Sequence, residues 1–423
     1  MRIATLQFKP KLGDVQGNIR RADEILKRGV RMSDYDYSLD YDHDHRVVSL
    51  EDANLDLLVL SELALTGYNF PSLEAIKPYT EPSGCGPSAA WARQTAQRLG
   101  CMVCVGYPEI EILPSPDPES TNEEVKYYNS LLVVDEQGEV LVNYRKMFLY
   151  YTDETWASEG SAERGFHRLL FPKLSIAGSS NDGNGVNLDV DVDIEPGVKT
   201  ESLSLSKDKK TEPEPGVATS FGICMDINPY RFLAPSTAWE FANRVLSSKS
   251  QLVILSMAWT TFSSREELDA LNGTPDLDTF NYWIQRLMPL IKQKMEHISN
   301  ADGDGDGNGE KNIIIVISNR SGEEDGTPLA RYTGTSSIIA VSQRARSQSQ
   351  SQVQPGTDMH SESSSSDDEG SHRQGQGQGQ EAPDLDVKIL CWDMLGATSE
   401  GVCFADTRSD PRMAFQLVRA ARS

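Results

Sequence analysis

The chain has 423 residues, of which 38% are hydrophobic and 8% aromatic, so it can bury a sizeable core and is neither fibrous nor wholly disordered. Its 63 acidic and 40 basic residues give a net charge of -23, which argues against a nucleic acid partner. No stretch reaches the roughly 18 apolar residues of a membrane span, and the start MRIATLQFKP does not read as a secretory signal. We therefore expect a soluble protein of the cytoplasm, with the nucleus as the alternative compartment, and no membrane partner.

Four stretches interrupt the globular pattern and are rich in Ser, Gly, Asp, Asn or Gln: residues 33–50, 178–216, 301–311 and 344–385. They hold 16 of the 23 net negative charges, so the acidity belongs mainly to segments that we expect to be disordered, solvated insertions. The 313 residues outside them suit one large α/β domain. We predict a single domain over residues 1–423, interrupted by these insertions.

Neither the acidic insertions nor the histidines predict a metal site. Asp302, Asp304 and Asp306, followed by Gly307, fit the first half of a calcium loop, but the twelfth position is Ile313 where a bidentate carboxylate is required. Four of the six histidines lie in the insertions, without a partner at metal-ligand spacing. We expect no metal and no other cofactor.

Outside the insertions, short apolar runs alternate with helical patterns. LLVL, LVIL and IIIVI are uniformly apolar, as in strands buried on both faces, whereas YNSLLVVD and EVLVNYR alternate as antiparallel strands do and predict a hairpin. The patterns predict helices over residues 18–29 and 88–99, from near residue 236, and over about 279–298. A mixed-sheet α/β fold follows. Periodicity gives no strand order and does not say whether two sheets pack on one another.

Three polar residues stand at the ends of predicted strands, where α/β proteins often place their chemistry. Glu62 follows LLVLS, Lys146 ends EVLVNYRK, and Cys224 ends ATSFGIC before a turn. Each also has an ordinary interpretation: a loop acid, a surface lysine or a buried structural cysteine. A helix beginning at Cys224 would lower the pKa of its thiol and favour the nucleophilic thiolate.

The other cysteines do not suggest chemistry. Six cysteines are sparse for a chain of this length, which argues against a disulfide scaffold. Four of them lie in apolar strand contexts and are expected to be buried and structural: Cys101, Cys104, Cys391 and Cys403. No convincing Cys-His pair is present, so a reactive Cys224 needs another base.

A glutamate, a lysine and a cysteine in this order resemble the catalytic triad of the nitrilase superfamily of carbon-nitrogen hydrolases. RIATLQF with GDVQGNIRRA resembles the first strand and helix of that family, and LLVLSELALTGY, YRKMFLY and FGICMDINPY resemble its three catalytic motifs. The longer words SELALTGYNFPSLEAIKPYTEP, YRKMFLYYTDETWASEG and GICMDINPYRF are similar to the fungal protein N-terminal asparagine/glutamine amidases. The long insertion between the lysine and cysteine motifs departs from the family pattern.

The resemblance implies a nitrilase-like four-layer αββα sandwich with mixed β-sheets. It also implies a hydrolase of linear amides that converts N-terminal Asn and Gln of peptides or proteins to Asp and Glu, releasing ammonia through a Cys thioester. Glu62 would act as the general base, Cys224 as the nucleophile, and Lys146 would stabilise the oxyanion. The implied partners are peptide or protein N-termini that bear Asn or Gln, together with components of an N-degron pathway.

Several further residues are candidates for the same site. A second carboxylate that positions the lysine is expected at Glu154, eight residues after Lys146, with Glu109 as the rival. Asp226 is placed either to pair with a substrate α-ammonium or to cap the following helix. Three aromatic residues near the motifs either wall the pocket or simply pack: Tyr68, Trp156 and Trp259.

Two alternative functions remain open at this point. The first is another enzyme of the same superfamily, such as a small-molecule amidase, an ω-amidase, a carbamoylase or a nitrilase, which would ignore peptides. The second is a non-catalytic interaction protein, in which the acidic insertions bind a partner. An ammonia-supplying glutaminase joined to a synthetase is disfavoured, because no phosphate-binding glycine loop followed by Lys and Ser or Thr occurs in the sequence.

Overall fold

The structure, a computed structural model, describes residues 1–31, 47–114, 123–177, 216–295, 311–326, 328–345 and 385–416. Most of the four predicted insertions and the calcium-loop-like run therefore lie outside the described residues. The end of the first predicted insertion belongs to the fold instead, because Val47–Val48 pairs with Val30–Arg31 and the apolar Leu50 is fully buried. None of the described helices is long and apolar enough to span a membrane.

The described residues form strands numbered here in chain order: β1 Arg2–Gln7, β2 Val30–Arg31, β3 Val47–Val48, β4 Leu57–Leu60, β5 Glu81–Pro82, β6 Met102–Pro114, β7 Glu123–Val134, β8 Val140–Arg145, β9 Phe166–Leu169, β10 Val217–Ile223, β11 Leu252–Met257, β12 Lys311–Asn319, β13 Ser321–Glu324, β14 Ala330–Thr333, β15 Ser337–Ala345, β16 Leu385–Met394, β17 Gly401–Asp406 and β18 Met413–Gln416.

The described α-helices are α1 Val15–Leu26, α2 Leu73–Ile76, α3 Pro87–Leu99, α4 Pro172–Ala177, α5 Glu240–Ser247, α6 Arg265–Ala270, α7 Leu277–Arg286 and α8 Met288–Lys292. Short 3₁₀ turns occur at Lys77–Tyr79, Asp153–Thr155, Ala162–Gly165, Cys224–Ile227 and Tyr230–Phe232.

Two mixed sheets make up most of the described strands. The first has the order β17-β1-β4-β6-β7-β8, with β5 also paired to β6, and the second has the order β18-β16-β15-β12-β11-β10-β9. In each sheet the central apolar strands run parallel, β1 with β4 and β6, and β10 with β11 and β12. The other strands of the two sheets pair antiparallel, except that β5 runs parallel to β6. The predicted hairpin is formed by β7 and β8. Uniformly apolar runs thus became central strands, as the pattern predicted.

The two sheets pack face to face and carry helices on their outer faces. Alternate residues of β1, β4, β6 and β7 face the second sheet and form one core with β10, β11, β12 and β15. The opposite residues of the first sheet pack against α1 and α3. Helices α5, α7 and α8 bury apolar residues against the second sheet. This arrangement confirms the four-layer αββα sandwich.

Helix boundaries differ from the predicted ones for local reasons. Helix α1 starts at Val15 because the Asp14 side chain accepts the Gly17 amide at 3.0 Å, which caps the N-terminus. The helix predicted over 279–298 is two helices broken at Leu287, with Pro289 in the first turn of the second helix. Proline has no amide hydrogen to continue a helix, so it stands at a start.

The two sheets are joined by hydrogen bonds at the ends of their central strands. Ser256 of β11 donates to the Leu60 carbonyl of β4 at 3.0 Å, and Ser318 of β12 donates to the Val59 carbonyl at 3.0 Å. The amide of Glu62 donates to the Met257 carbonyl at 3.3 Å. The carboxyl ends of β4 and β11 therefore lie side by side, which brings the loops that follow them together.

Candidate active site

Cys224 directly follows β10 and opens the 3₁₀ turn Cys224–Ile227. Its backbone has φ +41°, in the left-handed region that costs a non-glycine residue roughly 1–3 kcal/mol. The side chain is 8% exposed, and the backbone amide of Ala258 lowers the pKa of its thiol, against the larger effect of burial. The expected strand-to-turn geometry is present, but the turn is a single 3₁₀ turn rather than the start of an α-helix.

Glu62 lies two residues beyond the end of β4 and is fully buried. Its Oε1 accepts hydrogen bonds from Asn129 Nδ2 and from Lys146 Nζ, each at 2.6 Å. Its Oε2 accepts the Ala258 amide at 2.8 Å. The Ala258 amide and the Glu62 charge both act on the pKa of the Cys224 thiol, so Glu62 and the thiol are neighbours in the site.

Lys146 follows β8 and its ammonium is fully buried between two carboxylates. Nζ lies 2.6 Å from Glu62 Oε1 and 2.6 Å from Asp153 Oδ2. The Tyr68 ring lies beside it, with its centroid 5.6 Å from Nζ. Asp153 Oδ2 also accepts the Tyr150 amide at 3.0 Å. Lys146 is thus a buried lysine paired with two carboxylates, and the alternative of an ordinary surface lysine is wrong.

Burial and charge together set the protonation of this group. Burial and, next, the Glu62 charge raise the pKa of the Cys224 thiol, against the opposing effect of Lys146. Burial also raises the pKa of Glu62, partly offset by Lys146. Burial alone would lower the pKa of Lys146, but the charges of Asp153 and Glu62 outweigh it and raise that pKa.

The prediction of a lowered thiol pKa is therefore wrong for the free protein. A four-residue 3₁₀ turn offers only a small dipole, whereas the buried thiol loses the hydration that a thiolate needs. Cys224 is thus a neutral thiol at rest, and it needs a base within reach to become a nucleophile.

The second carboxylate on the lysine is Asp153, one residue before the predicted Glu154. Glu154 is exposed, while Asp153 is fully buried. The rival Glu109 is also buried, but it binds Arg145 at 2.5 Å. Asp153 and Glu154 stand in one 3₁₀ turn, where successive side chains point in different directions, so only Asp153 reaches Lys146.

Sequence reasoning also missed Asn129, which holds the two carboxylates together. Its Nδ2 donates to Glu62 Oε1 at 2.6 Å and to Asp153 Oδ1 at 3.0 Å. The available signal was a polar residue at an inward position of the alternating strand YNSLLVVD, since Asn129 pairs with Pro108 in the ladder between β7 and β6. The strand pattern gives the face but not the partners across the sheet.

Asp226 is engaged entirely within the chain. Its Oδ2 accepts the Tyr144 hydroxyl at 2.6 Å and the Ile223 amide at 2.7 Å, and its Oδ1 accepts the amides of Met147 and Phe148 at 3.0 and 2.8 Å. The carboxylate therefore ties the cysteine turn to the segment that follows Lys146. Asp226 thus accepts one amide within its own turn and otherwise binds β8 and the residues after it, so it does not cap the following turn, Tyr230–Phe232. With these four donors it is also less suited to a substrate ammonium.

The three aromatic candidates lie in two different environments. Tyr68 and Trp156 are buried in one cluster with Tyr332, and the Tyr68 hydroxyl donates to Asp153 Oδ2 at 3.3 Å. Trp259 packs edge-on against Trp283 of α7, with ring centroids 5.9 Å apart. The structure therefore brings Tyr68 to Lys146 and Asp153, places Trp156 in the same buried cluster as Tyr68, and packs Trp259 against an outer helix.

The four cysteines expected to be structural are buried, and burial raises the pKa of Cys101 to about 12. Within the described ranges, no cluster of three or more His, Cys, Asp or Glu side chains is arranged to hold a metal ion.

Comparison with known proteins agrees with this geometry. The family model for carbon-nitrogen hydrolases matches residues 2–184, which include Glu62, Lys146 and Asp153. The protein N-terminal amidase of Schizosaccharomyces pombe is 30% identical over 357 residues, covering 81% of this chain and 92% of that protein. The protein N-terminal amidase of Saccharomyces cerevisiae is 27% identical over 278 residues, covering 66% of this chain and 49% of that protein.

A crystal structure of an N-terminal amidase with a Gln-Val peptide has the same fold, with a TM-score of 0.57, 20% identity and 99% coverage of both chains. With its αββα sandwich, the buried Glu62, Lys146 and Cys224 group, and a 30% identical relative covered over nearly its whole length, this chain belongs to the carbon-nitrogen hydrolase family.

Proposed function

We propose that this chain is a protein N-terminal amidase, which hydrolyses the side-chain amide of an N-terminal Asn or Gln to give Asp or Glu and ammonia. The relatives from two yeasts carry that name, and solved structures with the same fold hold peptides that begin with Gln or Asn. The observation that carries the proposal is the buried contact of Lys146 with Glu62, next to the Cys224 thiol.

In the first half of the reaction, the Cys224 sulfur attacks the carbon of the substrate carboxamide. Glu62 takes the thiol proton, which is required because the buried thiol is neutral at rest. The Lys146 ammonium stabilises the negative charge that develops on the carboxamide oxygen, an interaction worth on the order of 3 kcal/mol in such sites. Glu62 then donates the proton to the leaving nitrogen, ammonia departs, and a thioester to Cys224 remains.

In the second half, water hydrolyses the thioester. Glu62 accepts a proton from the water, the hydroxide attacks the thioester carbon, and Lys146 again stabilises the oxyanion. Collapse of this intermediate breaks the carbon-sulfur bond and returns the proton to the Cys224 sulfur. Asp153 and Asn129 hold Lys146 and Glu62 in place through both halves.

The charge of the buried group suits a cationic substrate. Glu62 and Asp153 carry two negative charges when ionised, against one positive charge on Lys146. A substrate α-ammonium near this excess negative charge gains attraction that a neutral amide does not. Peptides with a free amino terminus are therefore the preferred substrates over N-acetylated ones.

The product carries a new carboxylate at its first residue. We extend the proposal to N-degron components that read this acidic terminus, and to action in the cytoplasm or nucleus. Pull-down with Asp-starting peptides and imaging of the tagged chain test these two points.

The deciding experiment measures ammonia release and product mass with purified protein. The substrates are peptides that begin with Asn or Gln, the same peptides N-acetylated, free Asn and Gln, and a simple aliphatic amide, each repeated with Cys224→Ala. We expect deamidation confined to peptides with a free amino terminus and abolished by the substitution. Turnover of simple amides alone would identify a general amidase, and no turnover of any substrate would favour a non-catalytic interaction protein.

A further inference from the structure

A further buried carboxylate lies beside the active site and has no part in the reaction described above. Glu324 ends β13 and is 3% exposed. Its Oε2 accepts the amides of Tyr68 and Asn69 at 2.9 and 3.0 Å, and the hydroxyl of Tyr332 at 2.7 Å. Gly67 has φ +88°, and a Cβ there would lie 2.9 Å from Glu324 Oε1. The loop after Glu62 is therefore folded around this carboxylate.

Arg320 neutralises the buried Glu324. Its side chain is fully buried, with Nη2 2.7 Å from Glu324 Oε1, and its guanidinium carbon lies 4.9 Å from the centre of the Tyr332 ring. A buried carboxylate with several hydrogen-bond donors and a paired cation holds its partners in one geometry.

Tyr68 connects this cluster to the lysine. Its ring packs edge-on against Tyr332, with centroids 6.5 Å apart and planes at 84°. Its hydroxyl donates to Asp153 Oδ2 at 3.3 Å, and its ring lies beside the Lys146 ammonium. Tyr68 is thus held by Glu324 through its backbone and through the Tyr332 ring, while its own side chain borders the catalytic charges.

The hairpin of β13 and β14 also contacts the segment on the other side of Glu62. The Thr333 amide donates to the Trp259 carbonyl at 3.3 Å, and the Thr261 amide donates to the Arg331 carbonyl at 2.9 Å. This segment begins at Ala258, whose amide binds Glu62 Oε2. One hairpin therefore contacts both segments that flank the catalytic carboxylate.

We propose that Glu324 is a positioning residue of the amidase reaction, acting with Tyr332 to hold Tyr68 against Asp153 and Lys146. It does not contact the substrate. Glu324 affects the rate by placing the Lys146 ammonium and the loop after Glu62. Small displacements of such groups lower the catalytic rate strongly. The inference rests on the proposed function, because the kinetic assay measures deamidation of a peptide. The contacts of Glu324 belong to the site whichever amide the chain hydrolyses.

The test compares Tyr332→Phe, which removes only the hydroxyl, with Glu324→Gln. The matched control is Glu323→Gln in the same hairpin. The Glu323 carboxylate accepts a hydrogen bond from Nε of the half-buried Arg331 at 2.8 Å. We expect about a tenfold loss of kcat for Tyr332→Phe and about a 10- to 100-fold loss for Glu324→Gln, with KM changed less than about twofold. The control stays within about twofold of the wild type in both constants.

A double-mutant cycle separates positioning from general destabilisation. If Glu324 and Tyr332 act through Tyr68, Tyr332→Phe has little further effect on kcat in a Tyr68→Phe background. Independent losses that multiply, or wild-type kcat in Tyr332→Phe, overturn the proposal. Because Glu324→Gln can unfold by leaving Arg320 unpaired, the tyrosine cycle is the deciding arm.

A second readout does not depend on the substrate. The alkylation rate of Cys224 over a range of pH reports the charges of Glu62 and Lys146, so it shifts in Tyr332→Phe and not in Glu323→Gln if the proposal is right. An unchanged alkylation profile in both variants overturns it. If the wild type fails to deamidate peptides but Tyr332→Phe still shifts the alkylation profile of Cys224, the proposed function is refuted while the positioning role stands.

Discussion

Lys146 owes its buried charge to two carboxylates, and of these only Glu62 stands at the end of a strand. Asp153 reaches the same ammonium from a short turn seven residues along the chain. Truncating one partner of such a buried pair leaves the other charge exposed to a medium of low dielectric constant, which costs about 3–5 kcal/mol. The arrangement of the lysine therefore depends on a residue whose neighbour, Glu154, is chemically equivalent and exposed.

Asp153 and Glu154 are adjacent acids in different surroundings, so the effects of substituting them can be compared directly. We expect Asp153→Asn to lower kcat at least about 100-fold, because it removes one of the two charges that hold Lys146 in its oxyanion-stabilising position. Glu154→Gln, with the same change of chemistry one residue away, keeps kcat within about twofold. Steady-state kinetics on an Asn-starting peptide checks both, and equal losses would mean that the turn, rather than the carboxylate, matters.

The raised pKa of Glu62 predicts how the rate depends on pH. Burial raises the pKa of this carboxyl above its ordinary value of 4.5, and a protonated Glu62 does not accept the thiol proton. As pH falls, kcat/KM therefore drops at a pH above the ordinary carboxyl range. Lys146, with its raised pKa, stays charged as pH rises, so its titration does not lower kcat/KM on the alkaline side. A profile measured from about pH 4 to about pH 9 that stays flat down to the ordinary carboxyl range contradicts this role of Glu62.

At the scale of elements, the site depends on close packing between a strand and the loop after its neighbour. Gly106 of β6 lies directly against the backbone after β4: a Cβ added there would be 2.7 Å from the Leu63 amide nitrogen and 2.9 Å from the Cα of Glu62. Backbone atoms cannot rotate away as the end of a side chain can. The absence of a side chain at Gly106 is thus part of how Glu62 is placed.

We expect Gly106→Ala to displace the Glu62 loop, lower kcat by about tenfold, and reduce the free energy of unfolding by about 1–3 kcal/mol. The control is Gly401→Ala in β17, where no heavy atom lies within 4 Å of the added Cβ. Urea unfolding and peptide kinetics measure both effects. Wild-type behaviour of Gly106→Ala would show that the loop relaxes without cost.

At the scale of the whole molecule, the two sheets share one core, and the residues that we propose to be catalytic come from both. Glu62 and Lys146 follow strands of the first sheet, and Cys224 follows a strand of the second. Tyr144 of β8 stacks on Phe221 of β10, with ring centroids 6.3 Å apart. We propose that the chain is one domain, because neither sheet can bury its inner face without the other.

Phe221→Ala tests this unity. The cavity it opens between the sheets lowers the free energy of unfolding by about 3–5 kcal/mol. We expect one cooperative transition in urea, seen at the same midpoint by far-UV circular dichroism and by loss of amidase activity. Phe262→Ala, at a fully exposed ring, changes stability by less than about 0.5 kcal/mol. Two separated transitions would mean that the sheets unfold independently.

The sequence pattern alone was enough to predict the central strands, a mixed-sheet α/β fold, and the positions of Glu62, Lys146 and Cys224 at strand ends. The four-layer sandwich and the joint role of these three residues were expected only from the resemblance to a known family. Uniformly apolar runs identify central strands, and a polar residue that directly follows such a run stands at a sheet edge. These are local properties, so they can be recognised from the sequence without the structure. The split of the predicted helix at Leu287 was missed, although Pro289 is a local signal for it.

Only the tertiary structure decided which acids serve the lysine and what Asp226 does. Asp153 and Glu154 are adjacent acids with the same local signals, and the direction of a side chain in a short turn depends on what packs against it. Glu324 reaches Tyr68 across 256 residues of chain, and Asp226 reaches Tyr144 across 82. Long-range contacts of buried charges depend on how the two sheets meet, which no local pattern encodes.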